Sequence, residues 1–112
     1  MRLMLALVSL LTLAATSASL SGHALAAVTV RGMSSCSGWA NRGSGDLAVI
    51  RQVWLLGYLS GRAAATDKDI LKGTENAELF LWMDNYCREN PLKDVEDGAV
   101  ELAAVLIRQK GL

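Results

Sequence analysis

The sequence predicts an all-α fold: a small bundle of about four helices with one disulfide, preceded by a cleaved signal peptide. Apolar residues recur every three or four positions over most of the chain after residue 33, which is the spacing of one helix face. Strand signals are confined to a short β-prone arm at 27–33, and Pro91 is the only proline. The two cysteines, Cys36 and Cys87, both fall in predicted helices.

The first 26 residues have the composition of a secretory signal peptide. Arg2 makes the amino end positive, an apolar run covers 3–15, and Ala-Leu-Ala at 24–26 is a small-x-small cleavage site. The apolar run is shorter than the roughly 20 residues that a transmembrane helix needs. We therefore expect a periplasmic protein, cut after Ala26 or, as the alternative, after Ala18.

Cleavage after residue 26 leaves a flexible or extended arm at 27–33 and one helical domain at 34–112. Without Arg2, ten basic and eleven acidic side chains remain, so the net charge is about −1. Such a domain lacks the excess of basic residues that nucleic-acid binding requires, and we expect no membrane contact after cleavage. Because the domain is small, burial of its hydrophobic core alone would make it only marginally stable.

Two cysteines in a small exported domain are most simply one disulfide between Cys36 and Cys87. The bridge would close a loop of about 52 residues, which the chain-entropy model values at about 4 kcal/mol. A metal site is the competing interpretation. It needs more ligands than two distant cysteines supply, so we expect no metal.

The first two helices are predicted from caps and apolar spacing. Ser34 or Ser35 is a good N-cap for a short first helix, and a glycine-rich loop follows at 41–45. Asp46 then caps a second helix that runs to about Ala65. Its apolar face is predicted to comprise Val49, Ile50, Val53, Trp54 and Tyr58.

A break at 66–69 and a single turn lead to the third helix, which Thr74 or Asn76 caps and which ends near Arg88. Its predicted inner side comprises Leu79, Phe80, Met83, Tyr86 and Cys87, with Trp82 at the edge. Asn90 and Pro91 suit the cap and first position of a fourth helix. The apolar stripe of that helix comprises Val95, Ala99, Leu102 and Leu106.

The residues favour a binding protein over an enzyme. With His23 removed, no imidazole remains to activate a serine, and a paired cysteine is not a nucleophile. Asp84 is expected to be a solvated surface acid. The GSGD segment at 43–46 lacks the lysine and preceding strand of a phosphate-binding loop. We expect no catalytic residue and no cofactor.

Gly57 and Gly61 are four residues apart and share one face of the second helix, where each costs about 1 kcal/mol against alanine. Close packing of a crossing helix or of a large aromatic is our first interpretation, and a groove for a protein partner or a second copy of the chain is the alternative. The candidate binding or close-packing groove comprises Gly57, Tyr58, Gly61, Trp54, Trp82 and Tyr86. The three tryptophans either fill the core or leave one or two partly exposed for binding.

The segments SCSGW at 35–39 and YCRENP at 86–91 together resemble the small periplasmic helical proteins of the HdeA/HdeB acid-stress chaperone family. Those proteins pair a cysteine in the first helix with one in a "YC-basic-x-NP" segment. The resemblance implies a stress chaperone that loosens in acid and binds unfolded periplasmic clients. Protonation of the eleven acids would take the net charge from about −1 toward about +10, a strong self-repulsion.

The GYLSG segment at 57–61 is also similar to the "GY-x-x-G" element of the type VI secretion amidase immunity (Tai/Rap) family. This second resemblance implies an immunity protein, which binds and inhibits a secreted toxin through a fixed surface. Gly57, Tyr58 and Gly61 match the pattern. Both resemblances imply a protein partner.

Overall fold

The computed structural model describes residues 28–112, and this part of the chain forms four helices without a regular strand. They are α1 (Cys36–Ala40), α2 (Asp46–Thr66), α3 (Asn76–Glu89) and α4 (Val95–Lys110). The predicted all-α bundle is therefore confirmed. The signal peptide predicted at 1–26 lies outside the described residues. None of the four helices is both long and apolar enough to cross a membrane.

Three of the helices begin close to their predicted positions. Ser35 is the N-cap of α1, and its hydroxyl oxygen accepts a hydrogen bond from the Gly38 amide at 3.0 Å. Gly45 caps α2, so Asp46 is instead its first residue. Glu75, rather than Thr74 or Asn76, caps α3, because Glu75 and Glu78 form a reciprocal capping box.

The predicted start of α4 at Asn90 and Pro91 is wrong. Asn90 ends α3, its amide donating to the Tyr86 carbonyl at 2.9 Å. The chain then turns at 91–93 and forms an isolated antiparallel bridge between Ser35 and Asp94: the Cys36 amide donates to the Lys93 carbonyl at 2.8 Å, and the Val95 amide donates to the Ser34 carbonyl at 2.9 Å. Helix α4 begins only after this pairing, where a capping box formed by Asp94 and Asp97 is available.

The core forms where α1 and α3 pack together and α4 packs on both α3 and α2. The predicted inner faces of α3 and α4 are largely confirmed. Four of the five predicted α3 residues are buried and Phe80 is half-buried. All four predicted α4 residues are buried: Val95, Ala99, Leu102 and Leu106. The predicted disulfide joins Cys36 to Cys87, with 4.9 Å between their α-carbons, and fastens α1 to α3.

Helix α2 turns only part of its predicted face to the core, where Trp54 and Tyr58 are half-buried. Its buried residues are Ala48, Leu55 and Leu59. The predicted Val49, Ile50 and Val53 are 54%, 62% and 59% exposed. The apolar spacing fits more than one side of this helix, because aliphatic residues occur almost all the way around its amino-terminal half. Leu55 and Leu59 belong to the same core cluster as the buried residues of α4, and the β-branched residues face outward.

Candidate functional site

The exposed side of α2 carries four of the ten exposed large hydrophobic side chains of the described residues. We call it the α2 outer face, and it comprises Leu47, Val49, Ile50, Val53, Gly57 and Gly61. All six residues are exposed. None of them is charged, and Arg51, between them in sequence, turns toward α1 and donates to the Gly38 carbonyl.

The two glycines of the α2 outer face have no neighbour to accommodate. Apart from its chain neighbours and the backbone of α2 itself, a β-carbon built on Gly57 or Gly61 meets no atom within 4 Å among the described residues. Our first interpretation, that a crossing helix or a large aromatic packs closely against them, is therefore wrong. Trp82 and Tyr86 lie elsewhere, on α3. The alternative, a groove open to a partner, stays a prediction.

The glycine that does allow a close helix crossing is Gly98, in α4. A β-carbon on Gly98 would lie 2.7 Å from both the Met83 sulfur and Cδ1 of Tyr86. The absence of a side chain therefore lets α3 and α4 approach. Sequence reasoning missed this residue, although its place in the apolar stripe, three residues after Val95, was a usable signal.

Alanine substitution should stabilise the protein at Gly57 and Gly61 and destabilise it at Gly98. Gly57→Ala and Gly61→Ala should each raise the free energy of unfolding by about 0.5–1 kcal/mol, because alanine favours the helix and nothing obstructs the methyl group. Gly98→Ala should lower it by about 1–2 kcal/mol, because overpacking against the rigid Tyr86 ring outweighs that gain. Urea denaturation of the three variants measures both effects. A Gly98→Ala protein as stable as Gly57→Ala would contradict the close crossing.

Two of the other predicted groove residues fasten α2 to its neighbours. Trp54 and Tyr58 stack with ring centroids 5.3 Å apart. The Trp54 indole N–H donates to the Arg31 carbonyl at 2.8 Å, and the Tyr58 hydroxyl donates to a Glu96 carboxylate oxygen at 3.3 Å. These bonds hold the arm and the first turn of α4 against α2, so both aromatic side chains have structural partners.

The remaining pair, Trp82 and Tyr86, stacks on α3 with ring centroids 5.4 Å apart and planes at 12°. A cavity of about 270 Å³ opens beside it, lined by Trp82, Asn85, Tyr86, Glu89, Asn90 and Glu101. Burial raises the pKa of the Tyr86 hydroxyl, and the negative charges of Asp97 and Glu101 raise it further. The six predicted groove residues are thus distributed over three separate places.

Asp84 has a structural role that its position in the sequence did not reveal. One of its carboxylate oxygens accepts a hydrogen bond from the indole N–H of the buried Trp39 at 2.8 Å. The same oxygen pairs with the Arg42 guanidinium at 2.7 Å. The Arg42 guanidinium also lies 4.3 Å from the centre of the Trp39 ring. This cluster joins the end of α1 to α3, and only part of Asp84 is exposed.

Within residues 28–112, no three His, Cys, Asp or Glu side chains converge in a group that could hold a metal ion. Both cysteines of this segment are in the disulfide. The chemistry that the described surface offers is apolar contact on α2 and an aromatic, acidic cavity between α3 and α4.

No protein-family model matches the chain, and neither a curated protein nor a solved structure matches it.

Proposed function

We propose that the protein is a non-catalytic, exported binding protein that captures other polypeptides on the α2 outer face. The supporting observation is the run of four aliphatic side chains, each more than half exposed, that lies on one helix and continues into two exposed glycines. Single exposed apolar residues are normal on protein surfaces. A contiguous uncharged patch is typical of an interaction site.

The strength of this surface suits reversible capture. Burying the exposed fractions of Leu47, Val49, Ile50 and Val53 would contribute about 4–7 kcal/mol in total. Association costs at least about 4 kcal/mol in lost translational and rotational freedom. The face alone therefore gives weak binding, and the fitting partner is an uncharged apolar segment such as an unfolding protein exposes.

We propose the acid-stress chaperone type for this function. Eleven carboxylates and ten basic groups lie in residues 28–112, so protonation would change a charge of about −1 into about +10. Helix α2 is the longest helix and contributes three buried side chains, against five from the shorter α4. Self-repulsion would loosen α2 first and add Leu55 and Leu59 to the apolar surface, while the disulfide keeps α1 on α3.

The test is suppression of client aggregation as the pH is lowered from about 7 to between about 2 and 3, where carboxylates are protonated. The wild-type protein should suppress aggregation at low pH, and Val53→Lys should lose most of that effect. Lysine is the appropriate substitution because it stays charged throughout this range, whereas aspartate would become neutral. The matched control is Leu81→Lys, since Leu81 is 60% exposed on α3 and Val53 is 59% exposed on α2.

Equal activity of Val53→Lys and Leu81→Lys would remove the α2 outer face from the proposal. Absence of suppression by the wild-type protein at low pH would remove the chaperone function itself. Circular dichroism at neutral pH provides the folding control, because both substitutions are at exposed positions and should leave the helix content unchanged.

The second candidate function is that of an immunity protein, which binds one folded toxin. The observation that favours it is that the α2 outer face is already exposed in the folded protein, with a shallow surface at Gly57 and Gly61 that a ridge on a partner could enter. Gly57→Leu would fill this surface without disturbing the fold. It should abolish capture of a secreted toxin encoded beside the gene. Absence of such a neighbouring gene would argue against this function.

A further inference from the structure

The cavity beside Trp82 and Tyr86 lies outside the α2 outer face, and the proposed function does not use it. Trp82 is half-buried on the cavity wall and stacks on Tyr86, which is 6% exposed. Two acidic residues, Glu89 from α3 and Glu101 from α4, line the same cavity. An aromatic wall and two acids thus meet between two helices.

We propose that this cavity binds a guanidinium group, such as that of an arginine side chain. The volume of about 270 Å³ falls just below the roughly 300–1,000 Å³ of typical ligand pockets. The space therefore suits one side-chain-sized group rather than a larger ligand. A planar guanidinium can stack on an indole ring and donate paired hydrogen bonds to carboxylates, and this cavity presents both partners.

The polar groups around the cavity favour a cation. Among the described residues, neither Glu89 nor Glu101 has a salt-bridge partner, whereas the Asn85 side-chain oxygen already accepts a bond from Arg88. The Asn90 side-chain amide donates to the Tyr86 carbonyl at 2.9 Å. The acceptors left open are therefore mainly carboxylates. The raised pKa of Tyr86, partly caused by Asp97 and Glu101, is a second sign of negative potential there.

Shape distinguishes guanidinium from ammonium in this setting. A lysine ammonium is a compact, strongly hydrated charge, and it gains less from a flat aromatic wall than the more weakly hydrated guanidinium does. Cation–π attraction requires the cation within about 6 Å of the ring centre, so we expect the guanidinium to rest on the ring face of Trp82 that Tyr86 does not cover. The preference for arginine over lysine is accordingly part of the proposal.

The experiment is a titration of the ¹⁵N-labelled protein with Nα-acetyl-arginine amide, followed by amide chemical shifts. We expect shifts confined to the cavity segments of α3 and α4, with a dissociation constant in the millimolar range. The uncharged isostere Nα-acetyl-citrulline amide should produce none, and Nα-acetyl-lysine amide should bind more weakly. Glu101→Gln should weaken arginine binding by about three- to tenfold, because it removes one charge-assisted partner. Asp69→Asn, which removes one exposed negative charge outside the cavity, should leave binding unchanged.

A final arm distinguishes the source of the guanidinium. The probe is a short peptide whose only charged side chain is one central arginine. It should bind at least about tenfold more tightly than Nα-acetyl-arginine amide if the natural ligand is a polypeptide. The two affinities should be equal if the natural ligand is a free guanidino compound. Absence of localised shifts would overturn the proposal. So would equal binding of the citrulline compound, or equal affinities of Glu101→Gln and Asp69→Asn. None of these results depends on client capture by α2.

Discussion

Replacing both cysteines by alanine, Cys36→Ala together with Cys87→Ala, is expected to lower the free energy of unfolding by about 4 kcal/mol. The bridge joins positions 51 residues apart, so it restricts a large part of the unfolded chain. Small domains have total free energies of unfolding of about 5–15 kcal/mol, so this loss is a major fraction of the total. Small domains that lose their disulfide often fail to fold at 37 °C, and we expect the variant to be partly unfolded at that temperature. Urea denaturation followed by circular dichroism measures it.

The reduced wild-type protein is the control for this experiment. It lacks the covalent bond but keeps both sulfur atoms, and the two cysteine residues are 1% and 3% exposed. If chain entropy dominates, the reduced protein and the double variant should be destabilised by similar amounts. A double variant as stable as the oxidised protein would contradict the stabilising role of the bridge.

Trp39→Ala is expected to lower the free energy of unfolding by about 3–5 kcal/mol. Trp39 is the largest fully buried side chain, on a helix of only five residues, and its ring lies 6.2 Å from that of Phe80. Truncation would leave a cavity under α1 and would remove the hydrogen bond to Asp84. Thermal and urea denaturation would both report the loss.

Trp39→Phe separates the two contributions. Phenylalanine retains most of the ring packing but has no indole N–H, so Asp84 loses a donor and the expected loss falls to about 1–3 kcal/mol. Asp84 keeps its ion pair with Arg42 in both variants. Equal destabilisation by Trp39→Phe and Trp39→Ala would mean that the hydrogen bond, and not the buried ring, dominates the stability of this contact.

The accuracy of the sequence-based predictions differed between helices for a physical reason. In α4 the four predicted residues share one stripe and the charged side chains of 96, 97, 101 and 108 lie on the opposite side, so charge favours one buried face although 102–107 is aliphatic throughout. In α2 both Val49–Val53 and Leu55–Leu59 satisfy helical spacing, and only the packing against α4 decides between them. The start of α4 was misplaced because Asn90 and Pro91 carry a valid local cap signal that the pairing of the chain with α1 overrides.

For the candidate sites, too, the sequence predicted features that depend on neighbouring residues but not contacts between distant ones. The disulfide was predictable because two cysteines allow a single pairing. The sequence indicated that Gly57 and Gly61 share a face, but glycine spacing does not say whether a neighbour from the same chain covers that face. The contact between Trp39 and Asp84 joins residues 45 positions apart and has no local signature.

The disulfide also gives the molecule a closed covalent ring. The ring runs from Cys36 to Cys87, so it includes all of α2, while α4 lies entirely outside it. Yet α4 is the helix on which α2 mainly packs. The segment after Cys87 thus holds the ring in its folded shape through α4. If α4 detached, α2 would lose its main packing partner, but it would stay covalently connected at both ends to α1 and α3, which the disulfide joins.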